Sequence, residues 1–105
     1  MSKLTNIDAK ILLGIEWLAA LGNEMITLKT LTRVTGLPRS TVSLRTRLLE
    51  GSNHVDRVKE GRNMYHFLTK TGKALLEEWK ESSNAQYLID RYQREIKENL
   101  KDLAE

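Results

Sequence analysis

The sequence predicts a mainly α-helical protein with one small β-hairpin and a long C-terminal helix. Three observations predict it. Apolar residues recur at three- and four-residue steps in five separate stretches. Two β-prone runs, residues 55–59 and 64–68, flank the turn-forming Glu60, Gly61, Arg62 and Asn63. The last stretch, residues 85–104, keeps its helical spacing over its whole length.

The first helix is expected from a cap at Thr5 or Asn6 to about Leu21. Ile7, Ile11, Ile15 and Leu18 make its stripe, and Leu12 and Trp17 widen it. So wide a face implies contact on two sides. Gly22 and Asn23 stop the helix, and Met25 and Ile26 are expected to form a short strand beside the hairpin.

Thr27 caps the second helix through its hydroxyl. Leu28, Leu31 and Val34 share one face of it. Gly36 ends it where a positive φ is cheap. Leu37 plugs the corner, and Pro38 suits the first turn of the next helix because its missing N–H would be unpaired there. Two helices joined by a short glycine-containing turn are the helix-turn-helix signal.

That third helix, residues 38–50, has unlike faces. Val42, Thr46 and Leu49 point inward. Ser40, Ser43, Leu44 and Arg47 lie opposite, with Arg39, Thr41 and Arg45 on the flanks. A small, hydroxylic and basic face suits a DNA groove, where hydroxyls serve phosphates or base edges and Arg can grip guanine. An ordinary solvated face would carry the same charges. The hairpin tilts the balance, because its tip carries Lys59 and Arg62 directly after such a helix. Asn53 precedes the hairpin at a corner that favours left-handed backbone.

After the hairpin, Thr69 caps a fourth helix with Ala74, Leu75, Leu76 and Trp79 on its apolar face, and Gly72 weakens its first turn. Residues 81–84 read as a break. The final helix carries Ala85, Leu88, Ile89, Tyr92, Ile96, Leu100 and Leu103 as one stripe. Isolated helices are marginal, so this stripe needs cover. A second subunit is the expected cover, with Leu88, Ile89, Tyr92, Ile96, Leu100 and Leu103 at the interface; the alternative is that the helix folds back on its own domain. Residues 1–84 are then the DNA-binding domain and 85–105 the dimerisation element.

The block from Thr27 to Trp79 resembles the winged helix-turn-helix of bacterial and archaeal MarR-type and ArsR-type repressors. The residues that carry the resemblance are TLKTLTRVTGLPRSTVS, LLE and VDRVKEGRNMYHFLTKTGKALLEEW. The run V-x-R-V-x-x-G-R-x-x-Y-x-x-L-T-x-x-G is especially like the MarR wing and the helix after it. The quoted segments run from Thr27 to Trp79, about half of the chain. It implies a homodimer on a pseudo-palindromic DNA site, usually a repressor.

Charge placement agrees with a DNA partner. The chain of 105 residues has a net charge of only +3. Residues 26–70 hold nine Lys/Arg against three Asp/Glu, and the remainder holds eight against eleven, so the block is +6 and the rest −3. A phosphate-binding surface requires such a concentration. With 40% hydrophobic and 30% charged residues, the composition is that of one globular domain.

There is no Cys, so no disulfide framework and no thiolate. His54 and His66 lack companions at metal-ligand spacing, and read as structural residues. No catalytic constellation is visible around Ser40 or Ser43. The expectation is therefore a protein that is not an enzyme, without cofactor or metal. No apolar run approaches a membrane span and the N-terminus is unlike a signal peptide, which points to the cytoplasm.

The sequence thus leads to a double-stranded DNA-binding regulator acting as a homodimer. In it Arg39, Thr41 and Arg45 hold phosphates, and Ser40, Ser43, Leu44 and Arg47 approach bases. Arg62 leads the wing contact, with Lys59 and Asn63 beside it. Two other functions stay open: an architectural or replication-associated DNA-binding protein of a plasmid or virus, and a winged-helix protein-interaction module.

Overall fold

A computed structural model describes residues 4–82 and 85–104 of the chain. Its first helix, α1 (Asn6–Ala20), begins where Thr5 leaves extended backbone and its Oγ1 accepts from the Asp8 N–H at 3.1 Å. It ends just before Gly22, which sits at φ 84°. This helix is the axis of the fold. Every residue from Asp8 to Ile15 is buried, as is Leu18. Ile7 departs from the expected stripe and is 44% exposed.

The next two helices are α2 (Leu28–Thr35) and α3 (Arg39–Gly51). Thr27 caps α2 by accepting from Thr30 N–H at 3.2 Å. Gly36 closes it at φ 72°, in the left-handed region that Gly enters cheaply. Thr35 pins the turn: its hydroxyl donates to the Leu31 carbonyl at 2.7 Å and accepts from Leu37 N–H at 3.3 Å. Pro38 stands at the cap position of α3 and not within its first turn, with φ −60° and ψ 144°. Gly14 lets α1 and α2 approach, since a Cβ there would lie 3.3 Å from Thr35 Cγ2.

The hairpin comprises β1 (Val55–Glu60) and β2 (Asn63–Leu68), antiparallel, with Val55 opposite Leu68 and Glu60 opposite Asn63. Glu60 and Asn63 therefore belong to the strands, and the turn is the two residues Gly61 and Arg62. Gly61 has φ 64°, as a two-residue hairpin with Gly first requires. The strand expected at Met25 and Ile26 does not form: among the described residues the sheet has two strands. What remains of it is one rung, His66 N–H to the Ile26 carbonyl at 2.9 Å.

Thr69 caps α4 (Lys70–Lys80) by accepting from Gly72 N–H at 2.8 Å. Ser83 and Asn84, part of the expected break, lie outside the described residues. The chain finishes with α5 (Ala85–Ala104).

The placement of α5 corrects the expectation of a stripe left uncovered within its own chain. Ala85, Ile89 and Ile96 are buried in the same core as α1 and α2, and Leu88, Tyr92 and Leu100 pack against that core. The side chain of Leu103 lies outside the described residues. Polar contacts fix the docking. Lys10 donates to Glu95 Oε1 at 3.2 Å and stands 5.2 Å from the Tyr92 ring centre. Tyr92 stacks on Trp79 with ring centres 6.4 Å apart and planes 5° from parallel. Trp79 and Tyr92 thereby lock α4 to α5.

Candidate nucleic-acid interface

The third helix shows the predicted rotation. Val42, Thr46 and Leu49 are buried. Arg39, Ser40, Leu44 and Arg47 are exposed, and Thr41 and Arg45 are half-buried; Ser43, expected on the outward face, is half-buried as well. The Thr46 hydroxyl donates to the Ser43 carbonyl at 3.1 Å, which satisfies the one polar group on the inward face. Leu44 is 49% exposed.

Leu48, one turn after Leu44, is 48% exposed and is not among the expected contacts. Its four-residue spacing from Leu44 is the sequence signal that pairs them. The outer face of α3 therefore has an apolar ridge, Leu44 and Leu48, beside the basic and hydroxylic groups.

Arg45 is placed differently from a free phosphate-seeking side chain. Its Nε donates to Asp8 Oδ1 at 2.7 Å and its Nη2 to Asp8 Oδ2 at 2.6 Å. The Asp8 side chain is 7% exposed and that of Arg45 30%. The hydrogen bonds to Asp8 raise the Arg45 pKa further above its ordinary value. Asp8 lies 37 residues away in sequence, and nothing in the local pattern announces the pairing.

The hairpin tip leaves Lys59, Arg62 and Asn63 exposed. Its base is tied to the end of α3. His54 N–H donates to the Leu49 carbonyl at 2.8 Å, and Asn53 takes φ 65° at the corner. Arg57, near the tip in sequence, is turned back to Glu50, with Nη1 3.2 Å from Oε1. The end of α3 and the hairpin are thus tied together by a backbone and a side-chain contact.

His66 is buried on the inner side of the hairpin. Its Nδ1 lies 2.9 Å from the Ile26 carbonyl oxygen. A carbonyl only accepts, so Nδ1 carries the proton and Nε2 is the bare nitrogen of a neutral ring. Burial pushes the His66 pKa below its ordinary value, and Arg57 adds repulsion against a positive ring. Among the described residues no group of three or more His, Asp or Glu is arranged to hold a metal ion, and no helix is long and apolar enough to cross a membrane.

No family model matches this sequence, and no curated protein does. Solved structures do match its fold. A protein of Archaeoglobus fulgidus superposes with a TM-score of 0.61 at 25% identity, over 69% of this chain and 78% of the other. BpsR of Bordetella bronchiseptica, whose DNA binding is regulated by 6-hydroxynicotinic acid, superposes at 0.64 with 19% identity. That match covers 90% of this chain and 62% of BpsR, so this chain spans less than two-thirds of its length. A Staphylococcus aureus MepR variant bound to an oligodeoxyribonucleotide superposes at 0.58 with 20% identity, over 90% of this chain and 75% of that one. MarR of E. coli superposes at 0.54 with 19% identity, over 85% of this chain and 78% of that one, so the chain carries a MarR-like winged helix-turn-helix fold.

Proposed function

We propose that this protein is a sequence-specific, double-stranded DNA-binding transcriptional regulator, acting as a repressor and as a homodimer on a pseudo-palindromic site. One observation carries the reading: α3 anchors itself through Val42, Thr46 and Leu49 and turns Arg39, Ser40, Leu44 and Arg47 outward. The fold it shares with the oligonucleotide-bound MepR variant supports the same role. In this reading α3 enters the major groove. Ser40, Ser43 and Arg47 meet base edges or phosphates, and Leu44 meets a thymine methyl. Arg39 and Thr41 hold the backbone. Arg62, with Lys59 and Asn63, reaches the adjacent backbone or minor groove, where Arg is favoured.

The homodimer cannot use the whole α5 stripe, because Ile89 and Ile96 are already buried within the chain. Leu88, Tyr92 and Leu100 retain partial exposure and remain available to a second copy.

A second reading, docking onto a protein, draws on the ridge of Leu44 and Leu48. Selection of bound sequences from random duplex DNA separates the two. A regulator enriches a motif with two-fold symmetry. A docking module enriches nothing.

A further inference from the structure

The Asp8–Arg45 pair takes a carboxylate out of water, and a buried ion pair is weak evidence for a role in stability alone. A carboxylate this buried must be paired, and removing a buried charge pair in favour of apolar residues is often neutral or stabilising. Asp8 is also at the third position of α1, where in a capping box a Glu or Gln turns back to the cap residue's N–H. Both of its oxygens are instead given to Arg45. The arrangement is side-on, through Nε and Nη2. Guanidinium has five N–H donors in one rigid plane. Asp8 takes two, and the three others, on Nη1 and the outer side of Nη2, have no partner among the described residues.

That outer edge belongs to a side chain 30% exposed, on the flank of α3 shared with Thr41. A planar fork held from one side presents its other side in a fixed direction. Such an edge matches two oxygens of a phosphate, and its order is set before binding. We infer that Asp8 is a positioning residue for DNA binding: it holds Arg45 so that the unbonded guanidinium edge meets a backbone phosphate beside the recognition helix. The inference rests on the DNA-binding reading and assigns a role within it to a residue outside the helix-turn-helix. The carboxylate itself repels DNA, so its benefit depends on Arg45.

The test is a double-mutant cycle with a salt titration, using a fluorescein-labelled random-sequence duplex as probe and the full chain throughout. Arg45→Ala is expected to lower the slope of log affinity against log salt by about one, as for one lost phosphate contact. Asp8→Asn is expected to weaken binding about threefold to tenfold while Arg45 is present, on the scale of one charge-assisted contact. In the Arg45→Ala background the sign is expected to reverse, and Asp8→Asn leaves affinity unchanged or raises it. Arg45→Lys keeps the charge and a single ion pair, so it guards against loss of folding. It is expected to melt near the wild type, with weaker binding and an unchanged slope.

An unchanged slope in Arg45→Ala overturns the inference, and so does Asp8→Asn binding as tightly as wild type. Arg62→Ala is the control for the reading beneath it. If wild type binds duplex and Arg62→Ala lowers the slope while Arg45→Ala does not, Arg45 and Asp8 have been misassigned and the DNA-binding reading stands. If wild type binds no duplex at low salt, the DNA-binding reading fails with it.

Discussion

Asn99 reaches from α5 to the end of α2, where its Nδ2 donates to the Val34 carbonyl at 2.8 Å. That carbonyl is among the last in α2, which no later turn of helix can satisfy. The last helix therefore completes the first helix of the helix-turn-helix. Asn99→Ala is expected to destabilise the fold by about 1–2 kcal/mol, the effect of leaving one partly buried acceptor unpaired. Ile96→Asp places a carboxylate at a fully buried position and is expected to unfold the chain. Deleting residues 85–105 is expected to give an unfolded chain and not a folded monomer. Denaturant melts followed by circular dichroism check all three, and a cooperatively folded truncated chain would show that α5 is dispensable.

Gly72 is buried against the His54 backbone, and a Cβ added there would overlap the His54 carbonyl oxygen. The same carbonyl accepts from Thr69 N–H at 3.3 Å. Because the obstacle is backbone, it cannot swing aside. Gly72→Ala is expected to lose about 3 kcal/mol or more, at or beyond the upper end for overpacked sites, despite the better helix propensity of Ala. The same change at Gly51, with open space around it, is expected to be mild. A thermal melt of both variants decides.

His66 makes stability depend on pH. Its folded-state pKa lies below the ordinary value, chiefly through burial. The unfolded ring takes up its proton at about pH 6.5, where the folded ring still resists it. The contribution of neutral His66 is therefore complete above that pH. It is lost progressively as pH falls from there through the folded-state pKa. His66→Asn, whose amide can replace Nδ1 toward Ile26, is expected to be less stable at neutral pH and flatter on the acid side. Parallel slopes for the two proteins below about pH 6.5, where the unfolded ring takes up its proton, would contradict this.

Leu44 and Thr46 are two residues apart on α3 and stand on opposite sides of it. Leu44→Ala is expected to leave melting nearly unchanged and to relax preference at one base pair by about 1 kcal/mol. Thr46→Arg is expected to destabilise severely, because Thr46 is 1% exposed. Melting both and measuring each on the selected and on random duplex checks the rotation of the helix.

Much of this fold was legible because it is locally written. Thr5, Thr27 and Thr69 each cap the helix they precede. Gly36, Asn53 and Gly61 take the positive φ that their positions imply. The rotation of α3 followed from the spacing of Val42, Thr46 and Leu49. What was not legible is long-range. A stripe such as Leu88, Ile89, Ile96 and Leu100 says that a face will be buried and not against what. Charge type shows that Arg45 wants an anion, and both phosphate and Asp8 qualify. Met25 and Ile26 have strand-like side chains, yet with one rung to His66 they form no strand. Gly72 reads as a weak helix residue until His54 is seen beside it.

The central claim is that the outer face of α3 and the wing tip bind duplex DNA through Arg47 and Arg62. Its most direct test is the salt dependence of duplex affinity for wild type and for Arg47→Ala/Arg62→Ala, both shown by melting to be folded. Wild type is expected to bind at low salt, and the double variant's log–log slope to be smaller by about two, one for each lost phosphate contact, or by about one with lost sequence preference if Arg47 meets a base. Equal affinity and equal slope for the two proteins would contradict it.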